Sequence, residues 1–291
     1  MSFDQKERNR EIFEDTMHLC ETNERLKQAI QASEKKQYII EEQQEISVKE
    51  MEKYSEPAKI IVSKKRSLEA AGNEAYKGLK ICVHNFASAT NPGGGVANGA
   101  NAQEECICRC STLYPNISTN AMRQKFYGKH KSLLKANKMD ATYNDDCIFT
   151  PEVIVFKTDD NRCQLMNEAQ WYSVDIITCA APNLREKPSN AMNPNSGFKT
   201  VRISENRLKE LHQKRLRKIL SVAKQEKDDV VILGAFGCGA FQNPPEIVAE
   251  AFEEVIQEFL YDFRVIEFAV YCSPKAMNNY NTFCRIFGNQ K

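Results

Sequence analysis

The sequence predicts an α/β fold: a sheet covered by helices on both faces, with a helical extension at the N-terminus. Two observations carry that expectation. From Lys59 onward, short apolar runs alternate with amphipathic helical stretches, and two of the runs lead straight into glycine-rich segments. The 291 residues are enough for one large domain with a sizeable core.

The elements follow in order. Ile12, Phe13, Leu19, Leu26 and Ile30 form a partial apolar stripe, which predicts one or two helices over about 6–34. A glutamate-rich turn follows over 41–57, so residues 1–58 read as a helical accessory region and 59–291 as the main domain. KIIVSK (59–64) predicts a strand, SLEAAGNEAYK (67–77) a helix and LKICVHNF (79–86) a second strand. Further strands are expected at VIVF (153–156), VDIITCA (174–180), VVILGAF (230–236) and VIEFAVYC (265–272). Helices are expected over 206–224 and 245–260. The Pro- and Asn-rich stretch 181–200 reads as a long surface loop, either a pocket wall or a plain insertion. Right-handed crossovers gather the strand-to-helix loops at one sheet edge, which is where a ligand is expected.

Charge removes one class of function. Forty Lys and Arg against thirty-nine Asp and Glu leave a net charge of +1, so a broadly basic DNA or RNA binder is not expected. An anion held by backbone amides needs no net charge. The charged N-terminus lacks the apolar core of a secretory signal, and no stretch reaches the roughly 18 apolar residues of a membrane span. The chain therefore reads as cytoplasmic. Cys106, Cys108 and Cys110 lie at spacing two, without the CxxC pairs of structural zinc sites, so the eleven cysteines read as reduced core or surface residues.

The most informative stretch begins at Asn85, NFASATNPGGGVANGANAQEECICRC. Gly93, Gly94 and Gly95 in succession are costly for a simple turn but let backbone amides approach an anion. Asn101 and Glu104 match a capping box, which by itself would leave Glu105 to solvent. On the alternative reading, both carboxylates stand at the first turn of a helix beside a ligand. Consecutive helical residues diverge by about 100°, so the two then have different tasks. Neither GxGxxG nor GK[ST] is present, which removes the usual signals for dinucleotide binding and for nucleoside triphosphate hydrolysis.

A second loop, GAFGCGAFQNPPE, carries Gly234, Gly237 and Gly239 directly after an apolar run. Asn243 is positioned as a helix cap, followed by Pro244 and Glu246. The glycines either permit a tight crossover or cradle phosphate oxygens at a helix N-terminus. Two such loops together suggest a diphosphate between them, flanked by Phe236 and Phe241. The lysine-rich run 125–138, KFYGKHKSLLKANK, reads as a solvated helix face, or as a surface that steers a polyanion.

At these residues the chain resembles the macrodomain superfamily, and within it the microbial-type poly(ADP-ribose) glycohydrolases. That branch is marked by GGG, six to eight residues, then QEE; here Gly93–Gly95 are followed by VANGANA and then Gln103, Glu104 and Glu105. The resemblance spans roughly 59–287, and GAFGCGAF is similar to the family's diphosphate-binding loop. It implies a three-layer α/β/α fold with a mixed sheet, and a hydrolase that releases ADP-ribose from polymer ends. It further implies Glu105 as catalytic carboxylate and Glu104 as a holder of the terminal ribose, with Asn91 on ribose hydroxyls. It implies that Gly94 and Gly95, with Gly237, Cys238, Gly239 and Ala240, line the diphosphate, that Phe241 packs beside the distal ribose, and that Gly93 and Gln103 also belong to the ligand site. His84 stands where an apolar strand residue is more usual. The implied partners are poly(ADP-ribose) or ADP-ribosylated macromolecules, with ADP-ribose as product, a monomeric enzyme and no metal or cofactor. Two alternatives stay open: a noncatalytic ADP-ribose-binding module, which has little need of the QEE pair, and a hydrolase removing single ADP-ribose units.

Overall fold

Asn9, Phe13, Thr16 and Cys20 recur at helical spacing, and in the structure they are the buried face of the first helix. The computed structural model describes residues 3–46, 52–191 and 193–288. Helix α1 (Phe3–Thr22) is followed by α2 (Glu24–Lys36), which starts where the Asn23 side chain accepts from the Leu26 amide. A short strand, β1 (Tyr38–Ile40), then pairs antiparallel with β4 (Cys147–Val155). The 1–58 region was expected to be helical, so β1 is an addition; three residues are too few to show a period. Part of the glutamate-rich turn, 47–51, lies outside the described residues.

After β1 come β2 (Lys59–Ser63), α3 (Ser67–Ala71), β3 (Ile81–Phe86), α4 (Gln103–Cys110), α5 (Leu113–Ile117) and α6 (Asn120–Met122). A π-helical turn (Arg123–Gly128) leads into α7 (Lys129–Lys135) and then β4. The chain continues through β5 (Tyr172–Cys179), α8 (Glu205–Gln225), β6 (Val230–Leu233), α9 (Pro245–Ile256), β7 (Val265–Ala269) and α10 (Asn278–Phe287). Among the described residues, seven strands form one mixed sheet in the order β1-β4-β5-β3-β6-β7-β2. All pairs from β5 to β2 are parallel, and the pairs made by β4 are antiparallel. Alternating residues of β6 face opposite layers. Val231 and Leu233 pack with α8 and α9, while Val230 and Ile232 pack on the side of α1, α3 and α4.

Several boundaries move, each for a visible reason. The helix expected over 67–77 stops at Ala71; Gly72 ends it, and Asn73 caps a separate 3-10 turn at Glu74–Tyr76. VIVF is the last part of a longer strand, interrupted at Pro151 by a register shift between Thr150 and Val153. VVILGAF and VIEFAVYC leave the sheet at Leu233 and Ala269. The residues beyond both exits line a cavity.

Candidate active site

The loops after β2, β3, β5, β6 and β7 converge at the carboxyl ends of the parallel strands. There they enclose a cavity of about 720 Å³, a size that suits a small-molecule ligand. β3 and β6 are neighbours, which brings the two glycine loops face to face.

The first loop holds the carboxylates. Helix α4 starts at Gln103 with Ala102 as N-cap. The carboxylate that reaches back to the cap is therefore Glu105, whose Oε2 accepts from the Ala102 amide at 2.9 Å. This corrects the expected Asn101–Glu104 box; the Asn101 side chain instead accepts from Arg109 and from the Cys106 thiol. Glu105 Oε1 accepts from the Gly95 amide at 2.9 Å. Gly94, at φ +57°, packs so closely that an added Cβ would lie 2.5 Å from that oxygen. Glu104 is 3 % exposed and Glu105 7 %, so neither is given to solvent. Glu104 Oε2 accepts from the Ser88 amide at 2.7 Å, and the Asn85 amide reaches Oε1 at 3.5 Å. Burial, reinforced by the Glu105 charge, pushes the Glu104 carboxyl well above the usual carboxylate range. Gln103 ties the strand to the helix. It donates to the His84 carbonyl at 2.7 Å and to Ser67, and it accepts from the Phe86 amide.

The second loop is built differently. Gly237, at φ +76°, leaves room for the buried Asn243 side chain, which donates to the carbonyls of Pro182 and Gly237 and accepts from His212. Asn243 therefore braces the loop rather than capping α9, whose N-cap is Pro244. Pro244 and Pro245 have no N–H, so the donors here belong to the loop itself. Among the described residues, nothing accepts from the amides of Gly239, Ala240 or Phe241. The cavity beside them is lined by those three residues and Gly237.

Two unlike groups of residues also border the cavity. In one, the Arg66 guanidinium lies 4.6 Å from the centroid of the Tyr271 ring, which is 54 % exposed. In the other, the 181–200 loop forms a wall: Asn193 accepts from Ser88 Oγ at 2.7 Å and from the Asn91 amide at 2.6 Å.

Glu104, Glu105, Gln103, Gly94, Gly95, Gly237, Gly239, Ala240 and Phe241 thus share one cavity. Asn91, Gly93 and Cys238 stand behind its lining. The Asn91 amide is turned to Thr90, Asn193 and Pro194, and Gly93 packs against the Tyr114 ring. Cys238 hydrogen-bonds back to the Phe236 carbonyl. Phe236 is core rather than a flank of the ligand, packed edge-on against His84 and His212. Burial pushes His84 down to about 3, so the ring is neutral. Ser88, Asn193, Arg66 and Tyr271 were not expected, nor was Asn85. The signal for Asn85 was a polar residue on the α4-facing side of an apolar strand. Among the described residues, no group of three or more His, Cys, Asp or Glu side chains is placed to hold a metal ion. No helix there is long and apolar enough to cross a membrane.

The family model described as "Microbial-type PARG, catalytic domain" matches residues 7–158, from α1 through β4. Among solved structures, a poly(ADP-ribose) glycohydrolase (PARG) from Thermomonospora curvata aligns with TM-score 0.80 and 26% identity, over 97% of this chain and 100% of that one. The same organism's enzyme bound to the inhibitor ADP-HPD gives 0.75 and 25%, over 96% and 99%. The Deinococcus radiodurans enzyme in complex with ADP-ribose gives 0.71 and 27%, over 89% and 96%. No curated protein gives a significant sequence match.

Proposed function

The chain belongs to the microbial-type poly(ADP-ribose) glycohydrolases, enzymes that release ADP-ribose, and from that membership we propose how its own residues divide the work. Glu105 is the catalytic carboxylate. It donates a proton to the departing 2′-oxygen as oxocarbenium character develops at the anomeric carbon. The carboxylate left behind then takes a proton from the water attacking that carbon. The observation that carries this reading is the pair of backbone amides, Gly95 and Ala102, each 2.9 Å from a Glu105 oxygen. Those fixed donors stabilise the charge that appears on Glu105 as it gives up its proton, and they hold it in one orientation.

Glu104 has the different task that its angle on the helix requires. Its raised carboxyl offers the terminal ribose a neutral hydrogen-bonding group, without a second negative charge beside Glu105. The amides of Gly239, Ala240 and Phe241 hold the diphosphate, and Phe241 packs beside the distal ribose. Gly94 and Gly95 give the ligand its close approach, with Asn91 acting through the Asn193 wall. Arg66 and Tyr271 take the adenine, a flat ring suited to stacking. A cavity of about 720 Å³ fits one ADP-ribose unit, which favours release from polymer ends. Eleven free cysteines suit a reducing cytoplasm. Residues 59–291 form the catalytic unit, with 1–58 bracing it.

Purified poly(ADP-ribose) incubated with wild-type protein and with Glu105→Gln tests the assignment. Wild type releases free ADP-ribose, and the variant is slower by about 10³-fold with unchanged calorimetric affinity for ADP-ribose. A variant that retained turnover would remove Glu105 from the chemistry. Oligomeric rather than monomeric products would remove the end-wise mode.

A further inference from the structure

Between Glu105 and Asp140 the sequence has no acidic residue, although acids and bases balance over the whole chain. Arg123, Lys125, Lys129, Lys131, Lys135 and Lys138 fall in that interval, on the π-helical turn, on α7 and just beyond it. Lys129 is neutralised by Asp146 at 2.8 Å and Glu41 at 3.3 Å. Lys125, Lys131, Lys135 and Lys138 have no ion pair among the described residues. Lys125, Lys135 and Lys138 are exposed and Lys131 partly so. Lys131 and Lys135 are one turn apart on α7; the helix ends there, and Asn137 at φ +52° turns the chain before Lys138, so the lysines share one short segment rather than one helical face.

Three ties fix this segment to the carboxylate end of the cavity. His130 Nδ1 is 2.8 Å from the Ala89 carbonyl, in the loop that carries Ser88 and the glycines. Arg123 reaches the hydroxyl of Tyr114, whose ring packs against Gly93. Tyr127 is fully buried in the neighbourhood of Glu104.

We propose that Lys125, Lys131, Lys135 and Lys138 form a binding track for the remainder of the polymer on the leaving-group side of the scissile bond. The proposal rests on the glycohydrolase reading above. Each repeating unit carries a diphosphate, and the chain departing from Glu105 must leave past this end. Unpaired lysines there hold a polyanion without demanding a fixed geometry, which suits a flexible chain that shortens by one unit per cycle. The track makes the enzyme selective for chain length: long polymers gain attraction, and free ADP-ribose gains none.

The test combines Lys125→Ser, Lys131→Ser, Lys135→Ser and Lys138→Ser in one protein. Kinetics use long polymer and a two-unit substrate; calorimetry uses ADP-ribose. On long polymer KM rises about tenfold with kcat unchanged, and the fall of kcat/KM with salt becomes shallower. The two-unit substrate changes no more than about twofold, and ADP-ribose affinity stays at the wild-type value, which also reports that the variant is folded. Replacing the four lysines by arginine restores the wild-type profile. Retention of labelled polymer on a filter, in the Glu105→Gln background with and without the four changes, reads the track without turnover. An inert wild type would overturn the enzymatic reading alone. Equal polymer retention and equal salt slopes in the two proteins would overturn the track.

Discussion

The two glycine loops face each other across one cavity and use glycine for opposite purposes. In the first, the amides of Gly94 and Gly95 are already engaged, to the Asn91 carbonyl and to Glu105, and an added Cβ on Gly94 would meet the Glu105 carboxylate. In the second, the amides of Gly239, Ala240 and Phe241 have no acceptor among the described residues, and an added Cβ on Gly239 would meet nothing within 4 Å. One loop commits its donors to a buried carboxylate. The other leaves its donors without an acceptor among the described residues, beside the cavity. A run of glycines after a parallel strand thus signals close approach, and whether to a carboxylate or a ligand is decided by where the next helix starts. Helix α4 brings Glu105 back over its own loop, whereas α9 opens with two prolines that offer nothing.

The sharpest way to break this contrast is Gly94→Ala. Its Cβ would displace Glu105 Oε1 from 2.5 Å, at a backbone φ of +57° that disfavours any side chain. Misplacing a reacting group by about an ångström costs on the order of 10²-fold in rate. Single-turnover release of ADP-ribose should slow by about that factor while binding weakens far less. A variant with normal turnover and lost affinity would move Gly94 to the phosphate side of the comparison.

Gly237→Ala should show the reverse split. Its Cβ would lie 2.5 Å from the Asn243 amide nitrogen and 2.6 Å from Ala181 Cβ, again at positive φ. The Asn243 brace then shifts, and the free amides move off the diphosphate. Calorimetry should give about tenfold weaker ADP-ribose binding, with kcat at saturation within about threefold. A collapse of kcat at unchanged affinity would contradict the division of labour.

This contrast also marks what was legible in the sequence. The sheet, its helical layers and the meeting of both loops at one edge were readable, because hydrophobic period and turn chemistry are local signals. So were Glu104 and Glu105, fixed by spacing from the glycines. The partners of those carboxylates were not. Which glutamate closes the capping box depends on whether the N-cap of α4 is Ala102 or Asn101, a shift that propensity does not resolve. Asn243 read as a helix cap because of the residues after it, yet its amide is claimed by the Pro182 carbonyl, from the loop after β5. Asn193, Arg66 and Tyr271 come from three other loops, and only the strand order brings them together.

The first loop makes a further prediction through pH. A carboxyl raised in the folded protein keeps a proton that the unfolded chain releases above its ordinary value of 4.5, so Glu104 costs stability as pH rises through that window. Gln has no proton to lose and keeps an acceptor for the Ser88 amide. Glu104→Gln should therefore melt above wild type at about pH 8, with the gap closing toward about pH 4. A gap that widens on acidification would mean that the carboxyl is held ionised instead.

The smallest effect should come from Gly239→Ala, and its smallness is informative. The position has open space around the new methyl and no positive φ, and Ala keeps the backbone N–H. If the second loop works through its amides, affinity for ADP-ribose should change by less than about twofold, and stability by no more than about 0.5 kcal/mol, offset by a stiffer unfolded chain. Gly239→Pro occupies similar space but deletes the donor, so it should weaken binding several-fold more than Ala does. Equal losses for Ala and Pro in calorimetry would mean that the loop admits the ligand by its emptiness rather than holding it by hydrogen bonds. The two glycine loops would then differ only in what fills the space beside them.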